Sequence, residues 1–181
     1  MRIFFDLDDT LIHSQRGGQN KHRIYRRFEG DGSYGSILRP TAKDLIAYAK
    51  TIDPNPAMIT TAVREWAEKW NEVFELGFTE IYAREDFLID VWGNYGHKHE
   101  EVLGNLNIED AVIIDNYPHS FEHPQQKQRF VFGHVCQERW IQINEFFGLT
   151  KDDWVNKDKK HIAEIQEKIE RIYEKGIDKE K

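Results

Sequence analysis

The sequence predicts an α/β fold with a mostly parallel central sheet of about five strands and helices on both faces. Two observations lead to this prediction. Strand-like apolar runs alternate with helical patterns along the chain, and polar side chains directly follow several of these runs. In sheets of this kind, ligands bind beyond the carboxyl ends of the strands. The same pattern therefore predicts both the architecture and the position of a functional site.

The predicted elements follow one another in a regular order. Strands are predicted at residues 2–7, 57–61, 79–83, 111–115 and 130–132. A first helix is predicted over 41–50, directly after Pro40. The helix over 62–76 has the stronger pattern, because large apolar side chains recur at helical spacing and Gly77 is placed to end it. A further helix is predicted over 97–105.

The C-terminal residues have a different pattern. Residues 157–175 carry an apolar stripe separated by charged residues, made of Ile162, Ile165, Ile169, Ile172 and Tyr173. We interpret this stripe as a helix docked on the domain, with a dimerisation helix as the alternative. The expected organisation is a domain over residues 1–150, with a flap inserted at 14–37, and a helical extension over 151–181.

Composition narrows the classes of protein that fit. A chain of 181 residues, 39% of them hydrophobic, suits one packed domain. The net charge of −7 argues against a protein that coats nucleic acid. The single cysteine, Cys136, excludes an intramolecular disulfide and fits a reducing compartment. Neither a signal peptide nor a membrane span is recognised, so we expect a cytoplasmic protein without a membrane partner, as a monomer or weak dimer.

Two carboxylates follow the first predicted strand. Asp6 and Asp8 are separated by one residue, so both side chains can point the same way as the strand ends. Two such carboxylates are costly unless a cation or a proton lies between them, and Mg²⁺ prefers oxygen ligands. The pattern Asp-x-Asp-x-Thr after an N-terminal strand resembles the first motif of the haloacid dehalogenase (HAD) superfamily. That resemblance implies a HAD-like Rossmannoid fold and phosphoryl transfer through an aspartyl-phosphate.

Further features expected of this superfamily occur in the expected order. Thr60 follows the second strand and would hold the phosphoryl group by its hydroxyl, while Lys98 precedes the strand at 111–115 and would neutralise phosphate charge. Asp115 and Asn116 end that strand and would complete the metal shell, together with Asp6 and Asp8. Each feature alone also has a structural explanation: a solvated strand end, a helix cap or a surface lysine. Their joint order favours phosphoryl transfer.

Roles follow from charge. Asp6 would be the nucleophile that forms the phosphoaspartate. Asp8 would protonate the leaving oxygen and then deprotonate the attacking water. The superfamily resemblance implies that the backbone carbonyl of Asp8, rather than its carboxylate, binds the metal. Thr10 and Thr61 are predicted to contact the substrate.

A narrower resemblance rests on four segments. Residues 6–11, Leu38-Arg39-Pro40, residues 59–62 and Asp115-Asn116-Tyr117-Pro118 are similar to the small phosphatases that act on the RNA polymerase II C-terminal domain (FCP/SCP-like). The resemblance extends over residues 2–147 and implies that Asn116 is a metal ligand. Residues 14–37 do not resemble the aromatic pocket that grips a proline in those enzymes. Substrate identity and a nuclear location therefore do not carry over.

The predicted flap is hairpin-sized and basic. Residues 16–27 contain no acid and carry five cations, which are Arg16, Lys21, Arg23, Arg26 and Arg27. If these side chains face the site, they favour a polyanionic substrate such as a nucleotide, a nucleic-acid end or an acidic phosphopeptide. A solvated hairpin with outward charges is the alternative. No separate cap domain fits, and an open site suits an exposed phosphate.

These observations converge on one function and two alternatives. The preferred hypothesis is a Mg²⁺-dependent phosphomonoesterase acting on an accessible phosphate of a nucleotide or nucleic-acid end. A phosphoserine or phosphothreonine protein phosphatase is the first alternative. The second is a module that keeps the fold and binds phosphate without catalysis. The complete set argues against this module, because a pure binder has no need of a general acid; its members are Asp6, Asp8, Thr60, Lys98 and Asn116.

Overall fold

A computed structural model describes residues 1–16, 24–28, 32–60, 62–86, 111–116, 140–144, 146 and 152–177. In chain order its elements are β1 (Arg2–Phe5), β2 (Ile12–Arg16), β3 (Ile24–Phe28), β4 (Gly32–Leu38), α1 (Ala42–Ala49), β5 (Ala57–Ile59), α2 (Arg64–Val73), β6 (Ile81–Tyr82), β7 (Ala111–Asp115), β8 (Trp140–Gln142) and α3 (Asp152–Ile177). The predicted helix at 97–105 and the predicted strand at 130–132 lie outside these ranges.

The central sheet confirms the predicted fold class. Five strands lie in the order β6-β5-β1-β7-β8, and every neighbouring pair is parallel. Phe5 at the end of β1 pairs with Met58 of β5 on one side and with Ile114 of β7 on the other. The residues that follow these three strands therefore meet at one edge of the sheet. The strand β8 was not predicted, because three residues are too few to show a period.

The segment between β1 and α1 forms a second, smaller sheet. Its three antiparallel strands lie in the order β2-β4-β3, and Ile12 pairs with Leu38 where the sheet joins the domain. This is one strand more than the hairpin that the sequence predicted. Its strands lie in the part of the chain that was assigned to the flap, and their position over the site stays a prediction.

All three described α-helices share one apolar core. Ile3 and Phe5 of β1 pack in a cluster with buried side chains of α1, α2 and α3, including Leu45, Trp70 and Ile165. Phe4 points to the opposite face, where it clusters with Ala57, Ile59, Ala111 and Ile113, all of them buried. Both faces of the sheet are thus covered, as parallel sheets require. Across the described ranges, none of the helices is apolar over enough of its length to cross a bilayer.

The C-terminal helix α3 docks on the domain. Ile162, Ile165 and Ile169 are buried in the common core, which is the face that the apolar stripe predicted. The hydroxyl of Tyr48 on α1 donates to the carbonyl of Gln166 at 3.2 Å and to the Glu170 carboxylate at 2.9 Å. Burial is the first cause that raises the pKa of this phenol, and Glu170 adds to it.

One contact of α3 depends on pH. The backbone N–H of Asn144 donates to Nε2 of His161 at 2.9 Å, which requires the neutral imidazole. Burial lowers the pKa of His161; Arg39 lowers it further, while Glu164 and Asp158 oppose the shift. Because the folded pKa lies below the unfolded one, the unfolded chain binds more protons on acidification. This contribution to stability is complete above about pH 6.5 and is lost as the pH falls below it.

We therefore expect His161→Gln to flatten the pH dependence of stability. Glutamine keeps an oxygen that can accept the Asn144 N–H but does not titrate. The free energy of unfolding, measured in urea at about pH 7.5 and about pH 5.5, should fall more for the native chain than for the variant. An equal or larger fall in the variant would show that His161 does not carry this dependence.

Candidate active site

The strand ends bring three predicted residues to one edge of the sheet. Asp6 follows β1, and its backbone N–H donates to the carbonyl of Ile114 in β7 at 2.9 Å. Because Phe5 pairs with Ile114, Asp6 lies beside Asp115, the last residue of β7. Thr60 follows β5, and its N–H donates to the carbonyl of Tyr82 at 2.9 Å. Asp6, Thr60 and Asp115 are all buried.

A tight turn after β1 keeps the following residues close to Asp6. The N–H groups of Leu11 and Ile12 both donate to the carbonyl of Leu7, at 2.9 and 3.1 Å. Asp9 has a φ of 57°, a left-handed conformation that aspartate tolerates better than most side chains. Its carboxylate contacts Nδ1 of His13 at 2.7 Å. The turn reverses the chain into β2 and keeps Asp8 and Thr10 within four residues of Asp6.

Thr10 and Asn116 hold each other through two hydrogen bonds. The Thr10 hydroxyl donates to the side-chain oxygen of Asn116 at 3.0 Å and accepts the Asn116 backbone N–H at 2.9 Å. Thr10 is fully buried. Together these two bonds hold the side chain of Asn116 in one orientation, with its amide oxygen toward Thr10. Contact between Thr10 and substrate stays a prediction.

Asp8 has a partner that the sequence did not reveal. Nε1 of Trp66 on α2 donates to the Asp8 carboxylate at 3.2 Å, and the Trp66 ring packs edge-on against Trp70 at 5.4 Å. In the sequence, Trp66 is one of the large apolar side chains at helical spacing that predicted the helix over 62–76. An indole N–H usually finds a hydrogen-bond acceptor when the ring is buried, so a tryptophan in the sequence can indicate a polar contact as well as packing.

Thr60 makes a local turn. Its hydroxyl accepts the N–H of Ala62 at 3.1 Å, and the residue is 1% exposed. The helix α2 begins after Val63, which makes no side-chain cap, so Thr60 is not the N-cap that was the structural alternative. Its role toward a phosphoryl group stays a prediction.

The donor set at this edge fits a magnesium ion. Among the described residues no three side chains of the His, Cys, Asp or Glu type converge as a metal cluster. Mg²⁺ needs no such cluster, since it binds through one or two carboxylates and keeps several waters. Asp6, Asn116 and the carbonyl of Asp8 supply oxygen donors only. Asp115 and the Asp8 carboxylate remain predicted ligands at the same strand ends.

Several predicted site residues fall outside the described parts of the chain. Lys98, Thr61 and Arg23 lie outside the described ranges. Arg26 and Arg27 lie on β3, where the backbone pairs with Tyr34 and Ser33 of β4 but the side chains are not described. Their proposed contacts with substrate therefore stay predictions.

Known proteins resemble this chain in sequence and in fold. The model of the NLI interacting factor-like phosphatase family matches residues 2–175. The chain belongs to this family. The match confirms the predicted FCP/SCP-like membership and extends past residue 147, through most of α3. A search of curated proteins found no match.

Solved structures similar to this family member share its fold. One is a variant of the fission yeast RNA polymerase II CTD phosphatase Fcp1 bound to beryllium fluoride, with 14% identity and a TM-score of 0.53. Another, described as Fcp1, an essential RNA polymerase II CTD phosphatase, has 15% identity and a TM-score of 0.51. The similarity covers 97% of this chain but only 53% and 52% of those chains. This NLI interacting factor-like chain thus spans about half their length.

Proposed function

We propose that this protein is a Mg²⁺-dependent phosphomonoesterase that works through a phosphoaspartate on Asp6. The observation that carries the proposal is the placement of Asp6 beside Asp115 and Asn116 at the ends of adjacent parallel strands. The Thr10 hydroxyl fixes Asn116 there. Membership of a family of phosphatases supports the same reaction class.

The first step transfers the phosphoryl group to the enzyme. A carboxylate oxygen of Asp6 forms a bond to phosphorus while the bond from phosphorus to the leaving oxygen breaks. Asp8 gives its proton to that oxygen. Repulsion between the carboxylate and the phosphate is about 1 kcal/mol per charge pair at ~4 Å in water and about 4 kcal/mol in a partly desolvated site. Bound Mg²⁺ would supply the positive charge that offsets this repulsion.

The second step returns Asp6 to its starting state. Asp8, now a carboxylate, takes a proton from water as the water oxygen bonds to phosphorus. The bond between phosphorus and the Asp6 oxygen breaks, and inorganic phosphate leaves. Thr60 and Lys98 would hold the phosphate oxygens during both steps. The indole N–H of Trp66 donates to one oxygen of the Asp8 carboxylate and so helps to orient it for proton transfer.

Trp66→Phe is expected to weaken proton transfer by Asp8 without unfolding the protein. Phenylalanine keeps an aromatic ring beside Trp70 and removes the N–H that orients the carboxylate, together with part of the bulk of the indole. We expect kcat to fall about tenfold for an alkyl phosphate, whose leaving group needs the proton, and clearly less for an activated aryl phosphate. Steady-state kinetics on both substrates measure the difference.

Trp70→Phe is the matched control on the same helix. Trp70 is buried, and within the described structure its Nε1 has no hydrogen-bond partner. Trp70→Phe should lower the stability because packing is lost, but it should not change the ratio of kcat for the alkyl phosphate to kcat for the aryl phosphate. If both variants change the ratio alike, the Trp66 hydrogen bond has no role in proton transfer.

A phosphorylated protein is the substrate class that the comparisons favour. The matching structures are described as phosphatases of the RNA polymerase II CTD, which is a protein substrate. The small sheet of β2, β3 and β4, inserted between β1 and α1, would leave the site open to a protein substrate. The five cations of residues 16–27 support a nucleotide or nucleic-acid end as the second candidate. A cytoplasmic location and a monomer or weak dimer remain part of the proposal.

The test begins with a generic aryl phosphate. Phosphate release should require Mg²⁺ and stop on addition of a chelator. A native chain that is inactive with every divalent ion would refute the proposal and favour a binding module.

Phosphoserine peptides, mononucleotides and phosphorylated oligonucleotides then separate the substrate classes. Replacing Arg23, Arg26 and Arg27 with glutamine should raise KM for oligonucleotides alone if the flap binds polyanions. An equal rise for aryl phosphates would exclude that role.

A further inference from the structure

A buried ion pair connects the C-terminal helix to the site. Asp158 of α3 accepts from Nη1 of Arg39 at 2.5 Å, and both side chains are almost wholly buried. The second Asp158 oxygen accepts from the Thr41 hydroxyl. Burial lowers the pKa of the Arg39 guanidinium, and Asp158 opposes that shift, which keeps the charged form in place.

Arg39 also contacts the turn that carries Asp8 and Thr10. Its Nε donates to the carbonyl of Thr10 at 2.6 Å. The hydroxyl of the same Thr10 holds Asn116 through the two bonds described above. Hydrogen bonds thus connect Asp158 of α3 to Arg39, Arg39 to the carbonyl of Thr10, and the hydroxyl of Thr10 to Asn116.

A second branch from Arg39 reaches the same turn. Nη2 donates to the carbonyl of Asn144, and the guanidinium lies over the ring of Phe146 at 5.3 Å. The N–H of Phe146 donates to the carbonyl of Asp9 at 2.8 Å. Two separate contacts therefore place the Asp8–Thr10 turn relative to one guanidinium, whose own position is set by Asp158.

We propose that Asp158 is a positioning residue, which sets Asn116 for metal binding through Arg39 and Thr10. The inference rests on the proposed function, in which Asn116 is a ligand of Mg²⁺. A buried ion pair by itself is weak evidence for stability, because apolar side chains of similar volume often serve as well. Here the guanidinium also donates to the backbone carbonyl of Thr10, in the turn that carries Asp8. The C-terminal helix is then a part of the metal-binding machinery.

The test measures metal affinity separately from activity. Mn²⁺, which shares the preference of Mg²⁺ for oxygen ligands, is titrated into the metal-free full chain and followed by electron paramagnetic resonance. Asp158→Asn should raise the Mn²⁺ dissociation constant about tenfold or more, as loss of a group that orients a metal ligand does. Thr41→Val, which removes one hydrogen bond to Asp158, should raise it less. Activity of both variants should recover at high Mg²⁺.

Asp53→Asn is the matched control. Asp53 is as buried as Asp158, each being 4% exposed, and it also pairs with an arginine, Arg2, at 3.3 Å. It accepts the N–H of Ile3, near the opposite end of β1 from the site. This variant should lower the melting temperature and leave the Mn²⁺ dissociation constant within about twofold of native.

The outcomes separate this inference from the proposed function. A native chain that binds no Mn²⁺ and releases no phosphate refutes the proposed function. If the native chain binds Mn²⁺ and releases phosphate, but Asp158→Asn has the native Mn²⁺ dissociation constant, the proposed function stands and the role of Asp158 is overturned. If Asp158→Asn does not fold, Thr41→Val decides: a raised constant supports the inference and an unchanged one overturns it. Equal weakening by Asp53→Asn would show a general loss of stability instead.

Discussion

Asp6→Asn is expected to reduce phosphate release by at least about 10³-fold. An amide is a poor nucleophile and cannot form the phosphoaspartate, while its size leaves the packing of the strand end unchanged. Asp6 is buried at the end of the central strand β1, where its N–H pairs with β7, so the backbone remains fixed in the variant. The rate of phosphate release from an aryl phosphate, with Mg²⁺ saturating, measures the effect.

Asp9→Asn is the control within the same turn. Asp9 adopts a left-handed φ of 57°, which asparagine tolerates well, and its carboxylate contacts His13 rather than the proposed ligands. Activity of this variant should stay close to native. If Asp6→Asn retains native activity, or if both variants lose it equally, Asp6 is not the nucleophile.

Asp8→Asn is expected to have the second-largest effect, and its size should depend on the leaving group. General acid–base catalysis contributes about 10²- to 10⁴-fold, so alkyl phosphates should show a loss in that range. An activated aryl phosphate needs little protonation in the first step. The second step still lacks its base, so a burst of phenol should precede slow turnover.

Rapid-mixing kinetics distinguish this result from simple damage to the site. The burst amplitude should approach one equivalent of enzyme for the activated substrate. The side chain introduced by Asp8→Asn keeps an oxygen that can accept the Trp66 N–H, so its orientation is retained. An equal loss for every leaving group, without a burst, would mean that Asp8 does not act in proton transfer.

The fold could be predicted because its determinants are local in sequence. Residues 3–5, 57–59 and 111–114 are uninterrupted apolar runs, as strands covered on both sides require, and parallel pairing then brings the ends of these strands to one edge of the sheet. That rule places Asp6, Asp115 and Asn116 at the same edge of the sheet, and the pairing of β1 with β7, which the structure shows, makes them neighbours. The short strand β8 and the third strand of the flap sheet carried too little pattern to be recognised.

The contacts that hold the site in place could not be predicted in this way. Thr10 and Asn116 are 106 residues apart, Trp66 and Asp8 are 58 apart, and Arg39 and Asp158 are 119 apart. No periodicity or local motif links such pairs; they meet because the folded sheet brings them together. Arg39 illustrates the point, since a surface charge is the usual expectation for arginine, whereas here the guanidinium is fully buried.

The most direct test of phosphoryl transfer through Asp6 is to locate the phosphoryl group on the enzyme. The native chain and Asp8→Asn are mixed with an activated aryl phosphate and Mg²⁺, quenched in acid within the burst, and analysed by peptide mass spectrometry. We expect a phosphoryl group on Asp6, at higher occupancy in Asp8→Asn and sensitive to hydroxylamine. Phosphate release with no modified Asp6 at any time, or a phosphoryl group on another residue, would contradict the proposed mechanism.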